Sequence, residues 1–160
     1  MQSRIDFRKV SPAAIKTMYD MESYLARSSI ERPLLLLVKM RASQINGCAY
    51  CIDMHSKDAR NEGETEQRLY ALDAWRETPF FSERERAALA WTESLTLIAQ
   101  TRAPDEDYSG ARAQFSEAEL VDLTLAVVAI NAWNRISIGF RIDVGGYKPA
   151  ARGAAAAGGH

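Results

Sequence analysis

The stretch Leu34-Leu35-Leu36-Leu37-Val38-Lys39-Met40-Arg41-Ala42-Ser43-Gln44-Ile45-Asn46-Gly47-Cys48-Ala49-Tyr50-Cys51-Ile52-Asp53-Met54-His55 decides the fold and holds the chemistry. Its first half is an apolar helical body opened by Glu31-Arg32-Pro33, since proline suits the first helical turn. Asn46-Gly47 then breaks the run. In a β protein such a pair would join two alternating strands. Here neither flank alternates with period two, so the pair reads as a junction between helices. A new helix therefore begins at or near Cys48 and ends at Gly63, a residue type suited to the position just past a helix.

The punctuation on both sides is also helical. Ser11-Pro12 reads as N-cap and first position of a helix through Ile15, Met18, Tyr19 and Tyr24 to about Arg27. Thr65 caps a helix containing Leu69, Leu72 and Trp75. Ser82 with Glu85, and Ser116 with Glu119, have the spacing of capping boxes. The first precedes a helix-forming stretch to about Gln100. The second precedes Leu120 to Ile130, apolar nearly all round and so expected in the core or at a subunit contact, with the pattern continuing to about Asp143. The segment 102–110, with Pro104 and Gly110, reads as a loop. The expectation is an all-α fold of six or seven helices in one domain, 1–147, followed by a mobile Ala/Gly tail, 148–160.

Composition narrows the function. The 160 residues are 47% hydrophobic and 26% charged, enough to build a core. The net charge of -1 argues against nucleic acid as the main partner, because polyanion binders carry a basic excess. No uninterrupted apolar run approaches the ~18 residues that span a bilayer, and the N-terminus has no apolar core of a secretory signal. The two cysteines share one short window, unlike the spread framework of a disulfide scaffold. The expectation is a cytoplasmic protein that uses neither membrane nor nucleic acid.

Cys48, Cys51 and His55 lie at offsets that share one helix face at about 100° per residue. Helical i,i+3 spacing brings two Cα atoms to roughly 5 Å, within the range a disulfide tolerates. Such a pair can toggle between dithiol and disulfide. A thiolate in the first turn of a helix is favoured by unpaired N–H groups and the helix dipole, and an imidazole one turn on can exchange its proton. One sulfur can then attack peroxide and become a sulfenic acid, which the other converts to a disulfide; an external dithiol must reduce it. Two other uses compete. The cysteines can be small buried hydrophobes. With His55 they can also supply three zinc ligands, although Asp53 faces elsewhere and His160, the other histidine, ends the tail. Neither a metal nor another cofactor is expected.

The stretch Leu37 to His55, with its S-Q-I-N-G-C frame and C-x-x-C-x-x-x-H spacing, resembles the core of the AhpD-like alkylhydroperoxidases within the carboxymuconolactone decarboxylase superfamily. Phe81 to Glu93 and Asn131 to Arg135 are similar to that family too, so the resemblance spans about residues 5–143. It implies an all-helical homo-oligomer, commonly a trimer or hexamer, with thiol peroxidase activity and no metal or flavin. It also implies Cys51 as the peroxidatic sulfur, Cys48 as the resolving one and His55 in the proton relay. Spacing alone leaves the two sulfurs' order open: the helix terminus favours Cys48 as the more acidic, and His55 favours Cys51. One departure stands out. The resembled pattern has a glutamate twelve residues before the first cysteine, where this chain has Leu36. Glu93 is a candidate replacement, or else a solvated or salt-bridged glutamate. The alternative function is a redox-responsive or ligand-binding helical oligomer with little turnover.

Among the remaining residues, Trp75, Trp91 and Trp133 are expected in core or interface packing. Asn131 and Asn134, in an apolar helix, need hydrogen-bond partners on a neighbouring segment. Arg41 and Arg135 are expected to pair with acidic residues.

Overall fold

The computed structural model describes residues 2–150, and it is helical throughout, with no strand among them. The helices are α1 (Phe7–Val10), α2 (Pro12–Leu25), α3 (Arg32–Asn46), α4 (Ala49–Asn61), α5 (Glu66–Ala71), α6 (Glu83–Thr96), α7 (Ile98–Thr101), α8 (Asp105–Gln114) and α9 (Glu117–Phe140). A 3₁₀ helix, Leu72–Glu77, continues α5. The described residues thus form more helices than the six or seven expected, because short pieces add to the long ones.

Local chemistry sets most of the boundaries. Pro12 and Pro33 sit in the first turns of α2 and α3. Gly47 takes φ +68° and stops α3, with the Cys48 N–H donating to the Ser43 carbonyl at 3.0 Å. Thr65 accepts the Arg68 N–H at the start of α5. Both capping boxes form, Ser82 with Glu85 and Ser116 with Glu119.

The segment expected as a loop at 102–110 is largely α8. Pro104 occupies its N-cap, and Asp105, Glu106 and Asp107 fill the first turn, where carboxylates favour a helix. Gly110 costs about 1 kcal/mol of helix propensity, which buried Ala111 and Phe115 offset by packing into the core. The turn into α8 is made by Arg102 and Ala103, both at positive φ. The expected tail, 148–160, lies outside the described residues from 151 on. Its described part is tied to α4 by Asn61 Nδ2, which donates to the Ala150 carbonyl at 3.1 Å, and just before it Lys57 Nζ donates to the Tyr147 carbonyl at 3.2 Å.

Helix α3 is central. It packs against α4 on one side and against α6 and α9 on others, which is why Leu34 to Val38 are all buried. Leu34, Leu35 and Val38 join a cluster with Trp91, Phe115, Leu123 and Val127. Leu36, Leu37 and Met40 join another with Leu69, Leu72, Trp75 and Phe81. Ala42, Cys48, Cys51 and Ile130 form a third, seating the cysteines on α9. At 24 residues, α9 has the length and apolarity of a membrane span, with mean hydropathy 1.3. Here it is a core helix, packed on α2, α3, α4, α6 and α8.

Most polar side chains in the interior are paired, His55 Nδ1 and Ser94 Oγ being exceptions among the described residues. Asp122, buried on α9, accepts from the Tyr24 hydroxyl at 2.6 Å and the Ser29 hydroxyl at 2.8 Å. Asn134, fully buried, donates to Ser43 Oγ at 3.0 Å and accepts from Asn46 Nδ2 at 2.8 Å. Asn46 Nδ2 also reaches Asn131 Oδ1 at 3.0 Å, and Asn131 donates to Thr96 Oγ1 at 3.0 Å. The two asparagines do tie neighbouring segments. Arg41 pairs with Glu93 and Asp73, but Arg135 is exposed and donates to Asn131 instead of a carboxylate.

Asn134→Ala removes two bonds of this network, leaving Ser43 only the Lys39 carbonyl and Asn46 only Asn131 as side-chain partners. It is expected to cost about 2 kcal/mol in urea unfolding. A loss below about 0.5 kcal/mol, the range of a neutral surface change, would show that this network does not stabilise the fold.

Candidate functional site

The α3–α4 turn places the reactive residues. Cys48 is the N-cap of α4 with extended backbone, and its Sγ accepts the Cys51 N–H at 3.4 Å. Cys51 and His55 follow on the same helix, facing inward, and all three residues are buried. The structure brings together the three residues singled out in the sequence. The two thiols are free, share a hydrogen bond and have their sulfurs 2.6 Å apart. Ser137 Oγ of α9 lies 3.6 Å from Cys51 Sγ.

The pair is electrostatically unequal. The hydrogen bond from Cys51 is the main influence holding the Cys48 thiol down to about 6. Burial opposes it, and the Cys51 N–H, Ser137 and Asn134 assist it. The same contact pushes the Cys51 thiol far above its ordinary value, with burial and the Cys48 charge adding to the effect. At neutral pH the pair carries one proton, held by Cys51, and one negative charge, held by Cys48 at the helix terminus. Burial, then the nearby charges of Lys39 and Arg32, lower His55 to about 3. Its imidazole is therefore neutral, and its Nδ1 is buried with no hydrogen-bond partner among the described residues.

The two sulfurs open on different cavities. Cys51 lines a cavity of about 360 Å³ together with His55, Leu36, Met54, Trp133 and Tyr50. Cys48 lines a neighbouring cavity of about 780 Å³ with Arg4, Arg141 and Asp143. Tyr50, Ser137 and Ile142 border both and partition them.

Leu36 stands in the His55 cavity, so an apolar wall occupies the place of the relay glutamate. Glu93 does not replace it. Burial pushes its carboxyl up, but bonds from Arg76, Trp75 and Arg41 prevail and hold it below the ordinary value. Those bonds, including Trp75 Nε1 at 2.9 Å and Arg41 Nε at 2.7 Å, tie α3, α6 and the 3₁₀ helix on another side of α3. The carboxylates that do border the cavity are Glu22 and Asp58. Neither stood out in the sequence: Glu22 belongs to a helix remote in the chain, paired there with Lys39. Asp58 lies one turn beyond His55, a spacing that could have flagged it. Trp75 and Trp91 are core residues as expected, but Trp133 borders the cavity and packs on Tyr19 with centroids 5.5 Å apart.

Among the described residues, no three metal-ligating side chains are grouped to hold an ion. The profile of the carboxymuconolactone decarboxylase family matches residues 12–94, which include all three candidate residues. The chain belongs to this family. YdfG of Bacillus subtilis, an uncharacterised protein, is 51% identical over 138 residues, covering 86% of this chain and 94% of YdfG. YnjA of Escherichia coli, also uncharacterised, is 29% identical over 101 residues, covering 63% of this chain and 55% of YnjA. Among solved structures, ATU0492 of Agrobacterium tumefaciens superposes with a TM-score of 0.87 at 45% identity, covering 90% of this chain and 99% of that one. ATU0492 is of unknown function, with a role in antioxidant defence as an AhpD protein suggested for it. The debrominase Bmp8 shares the fold at a TM-score of 0.75 and 18% identity, covering 86% of this chain and 74% of its own. The carboxymuconolactone decarboxylase fold here is the AhpD-like variant. Its matched segment stops before α9, the helix that supplies Asn134 and Ser137 to the cysteines.

The unequal pair has a measurable signature. In the reduced protein, iodoacetamide is expected to modify Cys48 with a rate that rises with pH through a midpoint near 6, as the thiolate fraction grows. Cys51 should react slowly across the neutral range. In Cys51→Ala the midpoint at Cys48 should move upward, because the side-chain donor is gone. Peptide mapping after timed alkylation reads both sites, and faster labelling of Cys51 would reverse the assignment.

Proposed function

We propose that this protein is a thiol-dependent peroxidase that reduces an organic or hydrogen peroxide through Cys48 and Cys51. The observation that carries the reading is the close pair of free thiols, of which Cys51 opens on a cavity with His55. Peroxide enters that cavity and meets Cys51. Cys48 acts as the pair's base and draws the Cys51 proton across the shared hydrogen bond as the Cys51 sulfur attacks the peroxide oxygen, so no free Cys51 thiolate has to form first. The O–O bond breaks, Cys51 becomes a sulfenic acid, and the alkoxide takes a proton from solvent by way of His55. Cys48 then attacks the Cys51 sulfur. Hydroxide leaves, takes the proton that Cys48 carried, and departs as water. An external dithiol restores the pair by two exchange steps and is itself oxidised to a disulfide.

The proposal includes assembly into a homo-oligomer of three or six copies. Its support is the family resemblance together with exposed Val121 and Val128, seven residues apart on one face of α9, and exposed Leu97 and Ile98 nearby in the chain.

A second reading is favoured by Leu36 and the neutral His55: a redox-responsive protein that oxidises once and turns over slowly. Steady-state consumption of cumene hydroperoxide with dithiothreitol separates the two. A peroxidase continues past one equivalent; a sensor stops there. Cys51→Ser should lose at least about 100-fold in rate, the scale expected when a reacting nucleophile is removed. In Cys48→Ser, dimedone should trap a sulfenic acid on Cys51. Parental turnover by Cys51→Ser would overturn the proposal.

A further inference from the structure

The wall of the cavity that holds Cys51 and His55 carries five charged groups, Arg8, Glu22, Arg32, Lys39 and Asp58. Three of them are in ion pairs. Lys39 is paired with Glu22. Arg32 Nε donates to Glu62 at 2.8 Å. The carboxylate of Asp58 has a neutral partner, accepting the Tyr147 hydroxyl at 2.7 Å. Arg8 is the cation on that wall outside an ion pair among the described residues. Its polar partners are neutral: Nε donates to the Tyr19 hydroxyl at 3.1 Å, and Tyr50 adds a weaker attraction. No carboxylate lies within ion-pair distance of Arg8 among the described residues.

Arg8 is also held in place. It belongs to a single helical turn, α1, which would drift if it were not pinned. Buried Phe7 stacks on Phe140 with ring centroids 5.5 Å apart, and the Arg4 N–H donates to the Phe140 carbonyl at 3.0 Å. The Arg8 guanidinium lies 4.9 Å over the Phe7 ring. Arg8 is exposed at the rim of the cavity, and a cation held by a hydroxyl and a ring, without a counter-charge, can receive an anion entering there. Across the same cavity stand apolar Leu36, Met54 and Trp133. His55, nine-tenths buried and with an unpartnered Nδ1, marks the reacting end.

From this placement we infer that the cavity binds an organic hydroperoxide bearing a carboxylate, with the carboxylate on Arg8, the apolar body against Leu36, Met54 and Trp133, and the peroxide at Cys51. The inference rests on the peroxidase reading and adds the substrate's class to it. A volume of about 360 Å³ suits a small ligand the size of a substituted benzoate and is at the low end for ligand sites. The chemistry is unchanged: the O–O bond breaks at Cys51, and the carboxylate stays intact as a handle. Leu36 fits this role better than a glutamate would, because a glutamate there would add its repulsion of the bound anion to that of Glu22 and Asp58.

The test compares cumene hydroperoxide with its para-carboxylate, 4-(2-hydroperoxypropan-2-yl)benzoate, using dithiothreitol as reductant. The parental protein should prefer the carboxylate in kcat/KM by about tenfold, equal to about 1.4 kcal/mol of binding. Arg8→Gln should abolish that preference, Arg8→Lys should keep part of it, and added salt should weaken it. A parental preference of one or below, or an unchanged preference in Arg8→Gln, overturns the inference while leaving the peroxidase reading standing. If neither peroxide is turned over, the peroxidase reading fails. The anion site is then decided by calorimetry with 4-isopropylbenzoate: about tenfold weaker binding in Arg8→Gln supports it, and equal or absent binding overturns it.

Discussion

The geometry of this site depends on how one turn is held. Two residues, Gly47 and Cys48, reverse the chain between α3 and α4, and the amide of Asn46 fastens that reversal to Asn131 and Asn134 of α9. The fastening decides the height of α4 relative to α9. It puts Ser137 and Asn134 beside the sulfurs and lets the Cys51 N–H of α4 reach the Cys48 sulfur. Apolar packing alone tolerates sliding by a fraction of a turn. Directional bonds between amides and a hydroxyl do not, since each fully buried partner would be left unsatisfied.

Within that frame, low polarity explains the chemistry. Two sulfurs in near contact away from water cannot both be charged, so they share a proton unequally. The helix terminus awards the charge to Cys48. His55 stays neutral for a related reason: burial and two nearby cations oppose a further positive charge. A neutral imidazole can pass a proton without holding one. Leu36 beside it is consistent with this state, whereas a glutamate there would favour the charged ring. The ionic network of Glu93 with Arg41 and Arg76 joins helices and leaves the cavity alone.

Most of this was legible in the sequence, and the failures have physical causes. Pro33, Asn46-Gly47 and the two capping boxes are short-range signals, and each marked a real helix boundary. The i,i+3 and i,i+7 offsets of Cys48, Cys51 and His55 needed only helical periodicity. Helix α8 was hidden because Pro104 and Gly110 suggested a loop, while the three acids of its first turn and the buried Ala111 carried more weight. The cavity wall was hidden more deeply. Arg8, Tyr19 and Glu22 sit far from the cysteines in the chain and come near only through tertiary packing. No spacing rule could place Trp133 on the wall instead of in the core. Nor could one show that Glu93 was already committed to Arg41.

Gly47 carries one more implication. A methyl group placed on it would meet no atom within 4 Å, so the site has room for a side chain and resists one only through its backbone angle of +68°. Natural variation at this point is therefore filtered by torsion and not by volume. Asparagine, which visits the left-handed region at modest expense, is compatible with an intact junction. Valine or isoleucine is not, and the damage would arise from torsion at the hinge ahead of the cysteines even though the added Cβ meets nothing.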